Sequence, residues 1–152
     1  MAISDDQIAR LIYRSCTVLD DEDFDAYMGV FAEEFDYRVS TYSYELRKDQ
    51  DWMDLNRPEM KGLLANVDQH SRLLGKFARQ ANIYGIDRNG ADKADVTTFV
   101  TVYYTTPEGA TSVFAVGKYL DVVDLAGDEP RIAVREMRLE TKELGIGTHL
   151  PL

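Results

Sequence analysis

The stretch Ser112–Leu152, SVFAVGKYLDVVDLAGDEPRIAVREMRLETKELGIGTHLPL, decides the fold. Residues 112–124 and 131–142 are β-patterned runs on either side of the turn Ala126-Gly127-Asp128-Glu129-Pro130. Two such runs around such a turn form a long antiparallel hairpin, followed here by a tail with the apolar end Leu150-Pro151-Leu152. The second run mixes Arg135, Glu136 and Arg138 with Ile132, Val134, Met137 and Leu139. Strict alternation cannot place all these charges in solvent while keeping both sets of apolar residues covered. A buried arginine needs a carboxylate or carbonyl partner. That partner lies either across a subunit boundary, which makes Arg135, Glu136, Arg138, Leu150 and Leu152 interface candidates, or within the chain, on an acid of the first helix or of the neighbouring strand.

Working back from the hairpin, Ala94–Thr105 precedes the turn Pro107-Glu108-Gly109, and Phe77–Arg88 precedes Asn89-Gly90, a two-residue turn signal. Met60, Leu63, Leu64, Val67, Ser71 and Leu74 keep helical spacing after Pro58, with Gly75 as a stop. Residues 45–57 are polar and read as a connection. Residues 35–44 have period two, with Phe35, Tyr37, Val39 and Thr41 on one face and Asp36, Arg38, Ser40 and Tyr42 on the other. At the front, Ser4 and Gln7 form a capping box for a helix of residues 5–19 carrying Ile8, Leu11, Ile12, Cys16 and Leu19. Asp20-Asp21-Glu22-Asp23 breaks it, and a shorter helix bearing Phe24, Tyr27, Met28 and Phe31 follows, ending near Ala32. The expected order is α-α-β-α-β-β-β-β, an α+β domain.

A chain of 152 residues, 45% apolar and 29% charged, is expected to form one domain spanning 1–152. Its net charge of −10 makes nucleic acid and anionic membranes poor partners. No apolar run reaches the length of a membrane span, and the start has neither a basic nor an apolar signal segment, so a cytoplasmic location is the expectation. Cys16 stands alone, which excludes an intrachain disulfide and a cysteine-based zinc cluster.

Gly117-Lys118-Tyr119-Leu120-Asp121-Val122-Val123, then Ile132-Ala133-Val134-Arg135-Glu136-Met137-Arg138-Leu139-Glu140 and the apolar end, resemble the small (β) subunit of bacterial Rieske non-haem iron ring-hydroxylating oxygenases. Leu19-Asp20, Phe24, Tyr27 and Phe31-Ala32-Glu33-Glu34-Phe35-Asp36-Tyr37 are similar to that family's pattern before its first strand. Where the family often has an Arg-His pair and then an Asn, this chain reads Ala78-Arg79-Gln80-Ala81-Asn82, without the His; residues 45–58 also depart from typical members. The resemblance implies a curved antiparallel or mixed sheet wrapped as a cone around three helices, the nuclear-transport-factor-like (ketosteroid-isomerase-like, cystatin-like roll) fold. It also implies a non-catalytic structural role: a large (α) partner subunit would carry the Rieske 2Fe–2S cluster, the mononuclear iron and the substrate pocket. This chain would hold no cofactor and would stabilise a homotrimer or hetero-hexamer.

The chemistry-bearing residues agree with that division of labour. A Rieske cluster needs two Cys and two His, and a facial triad needs two His and a carboxylate; the chain has one Cys and two His, His70 and His149, on a helix and in the tail. No nucleophile elbow or phosphate-binding loop is present. The rival reading is a stand-alone dehydratase, isomerase or cyclase working inside the cone, with Asp36, Tyr13 and His70 as pocket candidates. Laying the isomerase pattern without gaps from Phe31 puts the base position on Val39 and the donor position on Ser15, which removes that machinery. Asp36 serves as a base only if it faces inward, and alternation places it opposite Phe35, Tyr37 and Val39.

Overall fold

The computed structural model of the chain describes residues 2–67, 74–142 and 150–152. Helices α1 (Asp5–Asp20) and α2 (Phe24–Met28) lead into strands β1 (Phe31–Ser43) and β2 (Lys48–Leu55). Helix α3 (Arg57–Ala65) follows, then β3 (Lys76–Arg88), β4 (Lys93–Thr105), β5 (Thr111–Asp124) and β6 (Arg131–Leu139). The six strands form one sheet in the order β2-β1-β6-β5-β4-β3. Every neighbouring pair is antiparallel except β1 and β6, which run parallel. Register shifts interrupt all five pairings. Each such bulge bends its strand and increases local twist, so the sheet curves over the helices, as expected of the α+β roll.

The helices form where the sequence announces them. The Ser4–Gln7 capping box is made in both directions, with Ser4 N–H donating to Gln7 Oε1 at 2.8 Å and Gln7 N–H to Ser4 Oγ at 3.2 Å. Ile8, Leu11, Ile12, Ser15, Cys16 and Leu19 make the buried face of α1. Asn56 and Glu59 build a second capping box, with Pro58 in the first turn of α3. Arg57 then anchors α3 beneath β1, donating to the carbonyls of Phe31, Ala32 and Glu33 while its guanidinium lies over the Phe35 ring.

Four expectations need correction. The first strand begins at Phe31, because α2 closes at Met28 on the Gly29 cap and Val30 N–H turns back to Tyr27 O. Residues 48–55, read as a connection, are strand β2; as the outer strand it exposes residues on both faces and so lacks the apolar alternation that marks a strand. The order is therefore α-α-β-β-α-β-β-β-β. The Asn89-Gly90 turn is a four-residue loop closed by Asn89 N–H to Lys93 O, with Gly90 at φ 77°. Helix α3 ends at Ala65; of the rest of its predicted span, residues 68–73 lie outside the described residues, and Leu74, expected on the apolar face, is exposed and not helical.

Candidate functional site

The inner face of the sheet carries the candidate site, and strand register assembles it. Tyr37 of β1 lies opposite Arg135 of β6, and Arg135 lies opposite Asp121 of β5. One step along, Val39, Met137 and Tyr119 form the next row. The charge conflict read in β6 is resolved by a bulge. Val122 pairs with Val134 and Val123 with Ile132, so Ala133 is extra and the parity flips. Ile132, Arg135, Met137 and Leu139 all become buried, while Glu136 and Arg138 stay partly exposed on the outer face.

Arg135 is fully buried and paired within the chain. Its Nε and Nη2 each donate to one Asp121 oxygen at 2.9 Å, and its Nη1 donates to Ser15 Oγ at 2.9 Å. The guanidinium lies 3.7 Å above the Tyr119 ring centroid. Burial opposes the charge on Arg135, but the bidentate carboxylate outweighs it and holds the guanidinium protonated. Ser15 in turn donates to Ile12 O, an arrangement only a small hydroxyl on the buried face of α1 can make. Cys16, beside this cluster, has its thiol pushed up by burial, which keeps it protonated and unreactive.

A second group closes the interior. Asp20, at the end of α1, accepts from both the backbone N–H and Nη1 of Arg79 on β3. Arg79 Nη2 donates to Pro151 O at 3.1 Å. Leu152 N–H donates to Tyr37 Oη at 2.7 Å, and Tyr119 Oη donates to Leu152 O at 2.9 Å. Leu150 and Leu152 are 6% and 2% exposed. The apolar end thus occupies the inside of the sheet, and Leu150 forms a wall of a cleft of about 550 Å³ shared with Leu19, Asp20, Phe77 and Arg79.

The residues singled out from the sequence therefore separate. Arg135, Leu150 and Leu152 are interior, so the argument that put them at a subunit boundary is answered inside the chain. Glu136 and Arg138 lie on the outer face: Arg38 Nη2 and Ser40 Oγ donate to Glu136 at 2.7 and 2.6 Å, and Arg138 Nη2 donates to Asp49 at 2.6 Å. Asp36 is exposed. Tyr13 is 41% exposed and its hydroxyl accepts from Ile83 N–H, so neither enters the interior as a pocket residue. His70 and His149 lie outside the described residues. No group of three or more His, Cys, Asp or Glu able to hold a metal occurs among the described residues.

Chemically, the interior carboxylates among the described residues are both engaged: the oxygens of Asp121 by Arg135 and those of Asp20 by Arg79. The positions that the isomerase pattern assigned, Val39 and Ser15, are buried there, Ser15 as a partner of Arg135. The sequence reading allowed an acid of the neighbouring strand as the partner of the buried arginine without naming Asp121, and it missed the Arg79–Asp20 pair. The turn alone would set Asp121 opposite Val134, and it is the bulge at Ala133 that brings Asp121 opposite Arg135. Arg79 and Asp20 meet across 59 residues, and local pattern carries no trace of that.

Two curated relatives align with nearly the whole chain. The 2-aminobenzenesulfonate 2,3-dioxygenase subunit beta of Alcaligenes sp is 29% identical over 145 residues, covering 95% of this chain and 97% of that one. The methanesulfonate monooxygenase hydroxylase subunit beta of Methylosulfonomonas methylovora is 26% identical over 156 residues, covering 97% and 86%. Among solved structures, a Novosphingobium aromaticivorans chain assigned as the beta subunit of an aromatic-ring-hydroxylating dioxygenase superposes with a TM-score of 0.83 at 17% identity, covering 97% and 95%. The family model described as SnoaL-like domain matches residues 2–136, and the chain belongs to that family.

Proposed function

We propose that this chain is the small, non-catalytic subunit of a Rieske-type ring-hydroxylating oxygenase, a structural partner of an iron-containing large subunit. The observation that carries the reading is end-to-end similarity to two oxygenase β subunits, on a chain whose interior is filled by its own Leu150–Leu152 and by a closed Arg135–Asp121 pair. In this reading the Rieske cluster and the mononuclear iron belong to the large subunit. The assembly is a homotrimer of this chain or a hetero-hexamer with the partner, in the cytoplasm.

The outer face supplies the docking residues. Glu136 and Arg138 sit in the middle of it, tied to Arg38, Ser40 and Asp49. At the β1–β2 end, Tyr42 packs edge-on to Tyr44, Lys142 Nζ lies 3.8 Å from the Tyr44 ring centroid, and Trp52 is 38% exposed. Exposed Tyr and Trp beside ordered charge pairs suit a subunit interface. The rival reading, a stand-alone dehydratase, isomerase or cyclase, finds no free inner carboxylate among the described residues, since Asp121 is engaged by Arg135 and Asp20 by Arg79.

Co-expression with the large oxygenase subunit from the same source tests the proposal. A complex that co-elutes on size exclusion, has a mass by light scattering above that of either chain, and holds its iron in the large subunit is the expected result. Separate elution at micromolar concentrations, or one tightly held iron per small chain, would overturn it. Within that experiment, Glu136→Lys with Arg138→Glu should weaken assembly while leaving the melting temperature of the isolated chain within a few degrees.

A further inference from the structure

The segment Leu150–Leu152 meets the interior as a ligand meets a pocket. Its polar main-chain groups are held by three strands that are remote in sequence: Tyr37 Oη of β1 accepts from Leu152 N–H, Tyr119 Oη of β5 donates to Leu152 O, and Arg79 Nη2 of β3 donates to Pro151 O. These contacts span 115, 33 and 72 residues. Pro151 brings no N–H that would need a partner and fixes its own φ, so little order is lost on docking. The two leucine side chains are buried beside these polar groups. The charges around the segment are matched already, Arg79 by Asp20 and Arg135 by Asp121. The pocket therefore asks its occupant for main-chain donors and acceptors between apolar side chains. Its polar capacity also exceeds what the segment uses, because Arg79 Nε, on the guanidinium that holds Pro151 O, finds no hydrogen-bond partner among the described residues.

We propose that Tyr37, Arg79 and Tyr119 form a recognition site for a short apolar peptide, and that Leu150–Leu152 is its resident intramolecular ligand. Tethering raises the local concentration of the segment to roughly the millimolar range, so even a weak intrinsic affinity keeps the site filled. The same tripeptide supplied from outside occupies the site once the resident copy is removed. This inference stands whether or not the chain serves an oxygenase.

The test uses acetyl-Leu-Pro-Leu as the probe, in its free-acid and amide forms, titrated by calorimetry into the intact chain and into a chain lacking residues 150–152. The truncated chain is expected to bind one peptide and to melt higher in its presence, whereas the intact chain shows no heat. Tyr119→Phe in the truncated background should weaken binding roughly 2- to 10-fold, the worth of one hydrogen bond. A folded truncated chain that ignores the peptide, or an intact chain that binds it equally well, overturns the proposal. If the truncated chain does not fold, amide exchange in the intact chain decides: Leu152 N–H should be protected, and that protection should fall in Tyr37→Phe. Exchange of Leu152 at the rate of a free peptide in the unmodified chain would overturn it as well.

Discussion

Arg135 illustrates what a single buried charge requires. It keeps its charge because every guanidinium nitrogen has an acceptor and because Tyr119 offers a ring face beneath it. Breaking such a pair leaves the surviving carboxylate desolvated and alone, so Arg135→Met should lower unfolding free energy by about 3–5 kcal/mol, read from urea titration. Removing both charges, as Arg135→Met with Asp121→Val, should recover most of that loss; a double variant no better than the single would show that the pair is not the source of the effect. Glu136, the next residue and on the solvent side, behaves differently. Burial alone would lift its carboxyl, but hydrogen bonds from Ser40 and Arg38 and the nearby arginine charges outweigh this and hold it below its ordinary value of 4.5. A carboxyl lowered in the folded state stabilises the fold above that ordinary value and loses the contribution as pH falls through the lower folded one. Glu136→Gln should therefore lower the melting temperature most near neutrality, and the difference from the unmodified chain should shrink as pH falls below about 4.5.

At the scale of elements, the β5–β6 hairpin is the part that its own sequence specifies best. Its turn, its two strands and its bulge are local, and Gly117 shows how closely the strands meet: an added Cβ would run into Arg138 O and lie 3.0 Å from Leu139 Cα. Gly117→Ala should destabilise the chain by about 1–3 kcal/mol, measurable as a lower urea midpoint, with the loss of β5–β6 amide protection preceding that of β3–β4. The helices and the remaining inner strands were legible for the same reason, since capping boxes and alternation are short-range signals. Strand β2 was not legible, because an edge strand reading KDQDWMDL exposes its charges and carries no apolar period. The placement of Leu150–Leu152 was not legible either. An apolar end reads the same whether it covers a neighbour or folds inward, and only the Tyr37, Tyr119 and Arg79 side chains, set by distant strands, decide which.

Across the whole molecule, the interior gathers phenols as well as charges. Burial pushes Tyr37 up to about 12 and raises Tyr27 and Tyr119 well above their ordinary value of 10.0. A phenol raised in the folded state favours the fold fully below that ordinary value, and the contribution is lost as pH climbs from there toward the folded value. Alkaline unfolding should therefore begin above about pH 10, with tyrosinate absorbance for the buried rings rising together with loss of far-ultraviolet ellipticity. Early, independent ionisation of those rings would show that the interior is open to solvent.

The parallel seam between β1 and β6 has a kinetic corollary. Because Phe31–Thr41 pairs with Ile132–Leu139, the first strand has no inner neighbour until the last has been made. Contacts such as Ser15 with Arg135 and Tyr37 with Leu152 close loops of 120 and 115 residues. A nascent chain on the ribosome can assemble α1, the β1–β2 ribbon and the β3–β4–β5 meander, but it cannot shut the sheet before β6 clears the exit tunnel. Folding is accordingly expected to complete only after β6 has emerged and to proceed in milliseconds to seconds, as topologies dominated by distant pairings do.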